Sequence, residues 1–242
     1  MSQTSLSMPR RVRFLRWLAN FLLRLLTRLE VHGREKIPLT GAALFTMNHL
    51  HWLDVPIGLA IMPRPAVVFA AEKWERHPII GPLMRWSKST IFVARGEVDR
   101  RALGQALEVL KAGGMLGIAP EGTRSKTGAL QPGREGPAYL ASRTGAMIVP
   151  VAAWGQEKAI AALKRLRRQR IVVRVGDPFV LPGTPNKAKS EQLAAYTEEI
   201  MCRIAELLPP EYRGVYADAV RQRAKAAEPP QAVQEPMAAG AA

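Results

Sequence analysis

An α/β domain, with a largely parallel or mixed sheet flanked by helices, is what the order of apolar segments predicts. Six short apolar runs, at residues 41–47, 66–70, 91–94, 115–119, 147–153 and 171–175, read as buried strands. Stretches with helical spacing lie at 55–62, 99–111, 136–144 and 190–208. Strands alternating with helices at this rhythm pair through crossovers, which favours parallel neighbours. A chain of 242 residues, 48% hydrophobic, is enough for one substantial core. The expected organisation is a helical segment over 1–30, one domain over 31–223, and a disordered Ala/Pro/Gln/Glu-rich tail over 224–242.

Taken in order, residues 1–8 are polar, and Pro9 opens a helical stretch that the spacing carries to about Leu29. Arg13, Arg16, Asn20, Arg24 and Thr27 make one polar stripe, and the apolar arc opposite exceeds half the circumference. Arg16 and Arg24 interrupt any run of the roughly 18 uncharged residues that a spanning segment needs. The stretch also lacks the unbroken apolar centre and small-residue site of a signal peptide. Six arginines between Arg10 and Arg28 suit a basic amphipathic helix in a membrane interface. Docking of the same helix onto the core is the alternative. After the strand at 66–70, residues 73–86 mix charges with Pro78, Gly81 and Pro82, as broken helical turns do. Gly113-Gly114 stops the helix at 99–111, and Gly145 the one at 136–144.

Candidate chemistry gathers where the strands end. His49 follows the strand at 41–47, and Asp54, a residue type able to cap, precedes Pro56 at a helix start. Five residues apart, the two would point roughly 140° apart on one helix, so they meet only if the chain turns between them. A carboxylate that accepts one imidazole N–H fixes the tautomer and leaves the other nitrogen to take a proton. With no serine in the pattern, that proton belongs to a substrate. The plain alternative is a helix cap beside a polar strand end. His49-x-His51 lacks a third ligand nearby, so no metal site is expected. Arg95 ends the strand at 91–94, and Glu121-Gly122-Thr123-Arg124 follows the one at 115–119. In open α/β sheets ligands sit beyond the carboxyl ends of the strands. Arg95 and Arg124 there suit a phosphate, with Glu121 holding Arg124 and Gly122 letting the backbone approach.

These stretches, in this order, resemble the glycerolipid acyltransferase family of the lysophosphatidate acyltransferase type. Asn48-His49 through Asp54 is similar to its N-H-x-x-x-x-D motif. Phe92-Val93-Ala94-Arg95 resembles its second, Pro120-Glu121-Gly122-Thr123-Arg124-Ser125 its third, and Ile148-Val149-Pro150-Val151 its fourth. The resemblance covers roughly residues 31–180 and implies a glycerol-3-phosphate acyltransferase-like fold. Three positions depart from the family pattern: His51 stands where Ser is frequent, Ala71 where Lys is frequent (Lys73 lies two further on), and Gly133-Arg134 where an aromatic-Lys pair is frequent.

The resemblance implies transfer of a fatty acyl group from acyl-CoA or acyl carrier protein to a lysophospholipid hydroxyl, with 1-acylglycerol 3-phosphate giving phosphatidate. It makes His49 and Asp54 catalytic and puts Arg95, Glu121, Gly122, Thr123 and Arg124 at the acceptor phosphate. Asn48, His51 and Lys73 are further candidates for the acceptor pocket. It implies no cofactor, and peripheral or monotopic attachment to the cytoplasmic face of the cell membrane. Glycerol 3-phosphate or another lysolipid is the alternative acceptor.

Composition bounds the rivals. A formal charge of +15 implies anionic partners: nucleic acid, anionic lipid or phosphorylated substrates. Aromatic residues make up only 6%, so stacking platforms for single strands are scarce, and no nucleic-acid-binding motif is present; no nucleic acid is expected as partner. The single cysteine, Cys202, excludes an internal disulfide and fits a reducing compartment. An inactive membrane-associated scaffold is disfavoured by the intact His49, Asp54 and Arg124.

Overall fold

The computed structural model describes residues 8–94 and 99–227. Seven strands form one sheet: β1 (Thr27–His32), β2 (Ala43–Met47), β3 (Ala66–Ala71), β4 (Thr90–Val93), β5 (Met115–Ile118), β6 (Met147–Trp154) and β7 (Gln169–Val175). Their order is β1-β7-β6-β2-β5-β3-β4. Every neighbouring pair is parallel except β6 with β7. The sheet is therefore mixed, with β2 at its centre and all five residues of that strand buried. Burial on both sides explains why β2, β5 and β6 read as continuous apolar runs rather than alternating ones.

Alternate residues feed two cores. Leu44, Leu116 and Ile148 face one core, packed with α4 (Arg100–Lys111), α5 (Gly136–Thr144), α7 (Ser190–Leu207) and α8 (Ala217–Ala227). Phe45, Met115 and Val149 face the other, covered by α1 (Arg10–Leu26) and α2 (Asp54–Ile61). The remaining helices, α3 (Ile80–Ser87) and α6 (Ala159–Lys164), are short.

Two expected boundaries are corrected. The N-terminal helix ends at Leu26 rather than near Leu29, and Thr27–His32 forms β1 instead. Thr27 adopts extended backbone, its hydroxyl donates to the Leu23 carbonyl at 2.6 Å, and β1 pairs in register with β7 from Thr27↔Gln169 to His32↔Arg174. The helical spacing of Leu25, Leu26 and Leu29 could not reveal a strand partner 142 positions away. The helix thus runs straight into the sheet, with no linker at 30/31. At the other end α8 continues to Ala227, so positions 224–227 are helical rather than tail; residues 228–242 lie outside the described residues.

α1 has two apolar faces. Val12, Ala19 and Leu23 are buried, and the helix packs on α2, where Asn20 reaches the Ala60 carbonyl at 3.4 Å. Phe14, Trp17 and Phe21 stack in a row at 6.1 and 5.8 Å and are more than half exposed. Among the described residues no helix is long and apolar enough to cross a membrane.

One side chain fastens the sheet where the candidate site begins. Asn48 is 1% exposed, accepts from the Ala153 N–H at 2.8 Å and donates to the Ala153 carbonyl at 2.9 Å. It extends the β2–β6 pairing one residue past Met47. Asn48→Ala strands a buried N–H and is expected to cost about 2–3 kcal/mol of stability, read by urea denaturation. A loss under ~0.5 kcal/mol would contradict the role.

Candidate active site

β2, β3, β4, β5 and β6 are parallel, so their carboxyl ends share one rim. His49 leaves the end of β2, and the chain turns through His51-Trp52-Leu53 into α2. The turn brings Asp54 back: His49 Nδ1 lies 2.6 Å from Asp54 Oδ2. A buried carboxylate can only accept, so Nδ1 carries the hydrogen and Nε2 presents its lone pair. Asp54 does not cap α2, whose N-cap position is Leu53 with no side-chain cap. Its Oδ2 also accepts from the His51 N–H at 2.9 Å, and its Oδ1 accepts from Gln156 Nε2 at 2.8 Å. Three donors satisfy a carboxylate that is 3% exposed.

Gln156 is the residue that sequence reading missed. It follows β6, and Gly155 (φ +91°) makes the turn that returns it to Asp54; a Cβ there would sit 2.4 Å from the Arg170 carbonyl. A Gln one turn past a strand carries no motif. Only the β2–β6 pairing, Met47↔Val151, puts it beside the His–Asp junction.

The Pro120–Ser125 stretch holds the backbone of His49 from the other side. Glu121 Oε1 accepts the His49 N–H at 2.8 Å, Oε2 accepts the Gln131 N–H at 3.0 Å, and the Ser125 N–H donates to the His49 carbonyl at 2.7 Å. Glu121 is 2% exposed. Burial pushes its carboxyl up, and the N–H groups of His49 and Gln131 pull the other way. This corrects two expectations. Glu121 neither pairs with Arg124 nor is open to an acceptor phosphate, because both its oxygens are bound to main-chain N–H groups. Asn48 is likewise buried and fully engaged, so it is not part of an acceptor pocket.

The other expected residues spread along the rim. Gly122 (φ +69°) makes a tight turn with Arg134 laid over it: a Cβ would be 2.6 Å from Arg134 Cδ. Thr123 is half-buried, and Arg124 is exposed, close enough to His51 for its charge to disfavour the imidazolium. Lys73 is exposed on the turn after β3, 5.4 Å over the Trp74 ring; β5 separates β3 from β2. Arg95 lies outside the described residues. Among the described residues no group of three His, Cys, Asp or Glu could hold a metal ion.

His51 contributes a second imidazole, pushed below its ordinary value of 6.5 first by burial and then by Arg124 and His49, against Asp54 and Glu157, which favour the charge. The folded form therefore prefers neutral His51, so the unfolded chain binds the extra proton just below pH 6.5. This contribution to stability is complete above pH 6.5 and is lost as pH falls through the lower folded value. In a proton NMR titration the His51 ring is expected to titrate below 6.5; a midpoint above it would contradict the assignment.

The chain as a whole resembles known proteins. Residues 28–154 match the model of the family described as Acyltransferase. The 1-acyl-sn-glycerol-3-phosphate acyltransferase of Bacillus subtilis (strain 168) is 27% identical over 180 residues, 74% of this chain and 87% of that protein. The protein of the same name from Borreliella burgdorferi is 29% identical over 137 residues, 56% of this chain and 52% of its own. The crystal structure of the 1-acyl-sn-glycerophosphate (LPA) acyltransferase PlsC from Thermotoga maritima superimposes with a TM-score of 0.62, at 24% identity, over 78% of this chain and 76% of that one. That likeness is one of fold: a single α/β domain with a mixed seven-stranded sheet flanked by helices. The matched span runs from β1 to the end of β6 and so contains the His49–Asp54 pair and the Glu121 clamp. On that match this chain belongs to the acyltransferase family.

Proposed function

We propose that the protein transfers a fatty acyl group from a thioester, acyl-CoA or acyl carrier protein, to the free hydroxyl of 1-acylglycerol 3-phosphate, yielding phosphatidate. The observation that carries the reading is the 2.6 Å contact between His49 Nδ1 and buried Asp54 at the carboxyl rim of the sheet. The names of the relatives support this choice of acceptor.

An alcohol is a poor nucleophile at neutral pH, and a positioned general base is worth about 10²–10⁴-fold. His49 Nε2 takes the hydroxyl proton as the oxygen attacks the thioester carbonyl. The tetrahedral oxyanion then collapses, the C–S bond breaks, and the leaving thiolate takes the proton back from the imidazolium. Asp54 holds the tautomer and stabilises the imidazolium between those events. Exposed Arg124 is the candidate to meet the acceptor's phosphate, which a guanidinium binds through paired hydrogen bonds. The step balances with two substrates and His49, without a cofactor.

Direct transfer fits the alternatives in the chain. Ser125 Oγ donates to the Ala129 carbonyl at 2.6 Å and so is committed to its own loop. The Cys202 thiol is buried and pushed up to about 11, far from a reactive thiolate. Neither is placed as an acyl-enzyme nucleophile. The exposed row of Phe14, Trp17 and Phe21 on α1 is the surface that would rest in a bilayer on the cytoplasmic face.

His49→Ala and Asp54→Asn are each expected to lower kcat by at least ~10²-fold while the protein stays folded, measured as phosphatidate formed from labelled acyl donor and a panel of lysolipids. Normal turnover in either variant would overturn the assignment. Gln156→Leu removes a hydrogen bond to a charged group, worth about 10–100-fold in rate. The loss is expected in kcat, with acceptor KM unchanged, because Gln156 acts through Asp54. A change confined to KM would contradict a positioning role.

A further inference from the structure

The segment between α6 and β7 carries Lys164, Arg165, Leu166, Arg167 and Arg168, all exposed. Leu166 is 95% exposed, and its φ of +55° is one that glycine adopts more readily. The turn is nevertheless built. The N–H groups of Arg165 and Arg167 both donate to the Ala162 carbonyl, at 3.0 and 2.9 Å, and the Leu166 N–H donates to the Leu163 carbonyl at 2.9 Å. An ordered helix stop thus holds a leucine out in solvent with two cations on either side. Ile160 and Leu163 of α6 are each 40% exposed beside it. Among the described residues no carboxylate pairs with Lys164, Arg165 or Arg167.

Topology fixes where this tip lies. β7 is antiparallel to β6, so its first residues stand at the rim where β2 and β6 finish. The Arg168 guanidinium donates to the Thr27 carbonyl at 2.6 Å and to the Arg24 carbonyl, which joins the tip to the last turn of α1. The last two turns of α1 expose Leu22, Leu25 and Leu26. Exposed apolar groups of α1 and the cation-ringed leucine therefore adjoin on the side that carries His49.

We infer that the 164–168 turn is a second bilayer contact, with Leu166 inserted at the headgroup boundary and Lys164, Arg165 and Arg167 on anionic lipid. The chemistry favours a lipid surface over a protein partner: one protruding apolar tip in a collar of cations offers no concave site, and it is continuous with the exposed face of α1. The inference rests on the proposed function only for the direction from which a bilayer delivers acceptor to the rim.

The test is sedimentation of the full chain with phosphatidylcholine vesicles, with and without phosphatidylglycerol, at low and high salt. K164Q/R165Q/R167Q leaves Arg168 on α1, and Leu166→Gly suits the backbone that the position already has. The triple variant is expected to lose on the order of 100-fold in affinity for anionic vesicles and little for neutral ones. Leu166→Gly is expected to lose about tenfold with an unchanged or higher Tm. Turnover of a monomeric short-chain acceptor with acyl-CoA should be unchanged in both, so failure of the acyltransferase reading shows separately, as no turnover in the parent. Unaltered affinity for anionic vesicles in the triple variant overturns the inference. So does a loss limited to turnover with acyl carrier protein, which would make the cations a dock for an acidic protein.

Discussion

The Asp54 carboxylate is the constraint on which the rest of the site depends. Taking a charge out of water is costly unless its oxygens find donors, and this one is 3% exposed. Its donors come from three places in the chain: the His49 ring after β2, the His51 main chain in the turn, and the Gln156 amide after β6. Each requires the others. The turn must fold back for His51 to donate, β6 must pair with β2 for Gln156 to arrive, and only then is His49 held in the tautomer that leaves Nε2 its lone pair. β2 must therefore lie beside β6, and it does so at the centre of the sheet, with β5 on its other side.

A second buried carboxylate divides the labour. Asp54 orients the His49 side chain, and Glu121 fixes the His49 main chain through its N–H. Both are held by hydrogen bonds rather than by cations, which leaves Arg124 exposed and free of internal ion pairing among the described residues. A guanidinium already paired with Glu121 would have to give up that partner to meet an anion. An unpaired one at the rim needs only to shed water.

What the sequence makes legible is local. Apolar runs mark β2 to β7, most plainly β2, β5 and β6, because a strand buried on both faces has little choice of side chain. The fold class and the His49–Asp54 meeting follow from elements adjacent in the chain. What escapes depends on partners far along it. The first half of β1, Thr27–Leu29, looks helical until β7 is beside it, and Gln156 is an ordinary polar residue until β6 pairs with β2. Asn48 and Glu121 look like ligand groups because they are polar and sit within motifs. Their burial, which turns them into fasteners of backbone, is a property of three dimensions. A motif marks which residues matter more surely than it tells which atoms they bind.

The wide apolar arc of α1 poses the same problem at the scale of a helix. Periodicity alone offers two readings, a helix in a membrane interface or one docked on the core, since both require a broad apolar surface. In the fold the arc divides: Val12, Ala19 and Leu23 enter the core, and Phe14, Trp17 and Phe21 face solvent on the other side. One helix therefore has surface for both. Because Thr27 passes directly into β1, and Arg168 binds the main chain across that junction, the outward face cannot swing independently of the sheet. Whatever that face rests on is held at a fixed distance and angle from His49. A flexible anchor would raise the local concentration of lipid around the enzyme. On the proposed reading, in which this face rests in a lipid layer, a rigid anchor would also set the depth at which the reactive rim meets it, and the hydroxyl of a lysolipid lies at one depth only.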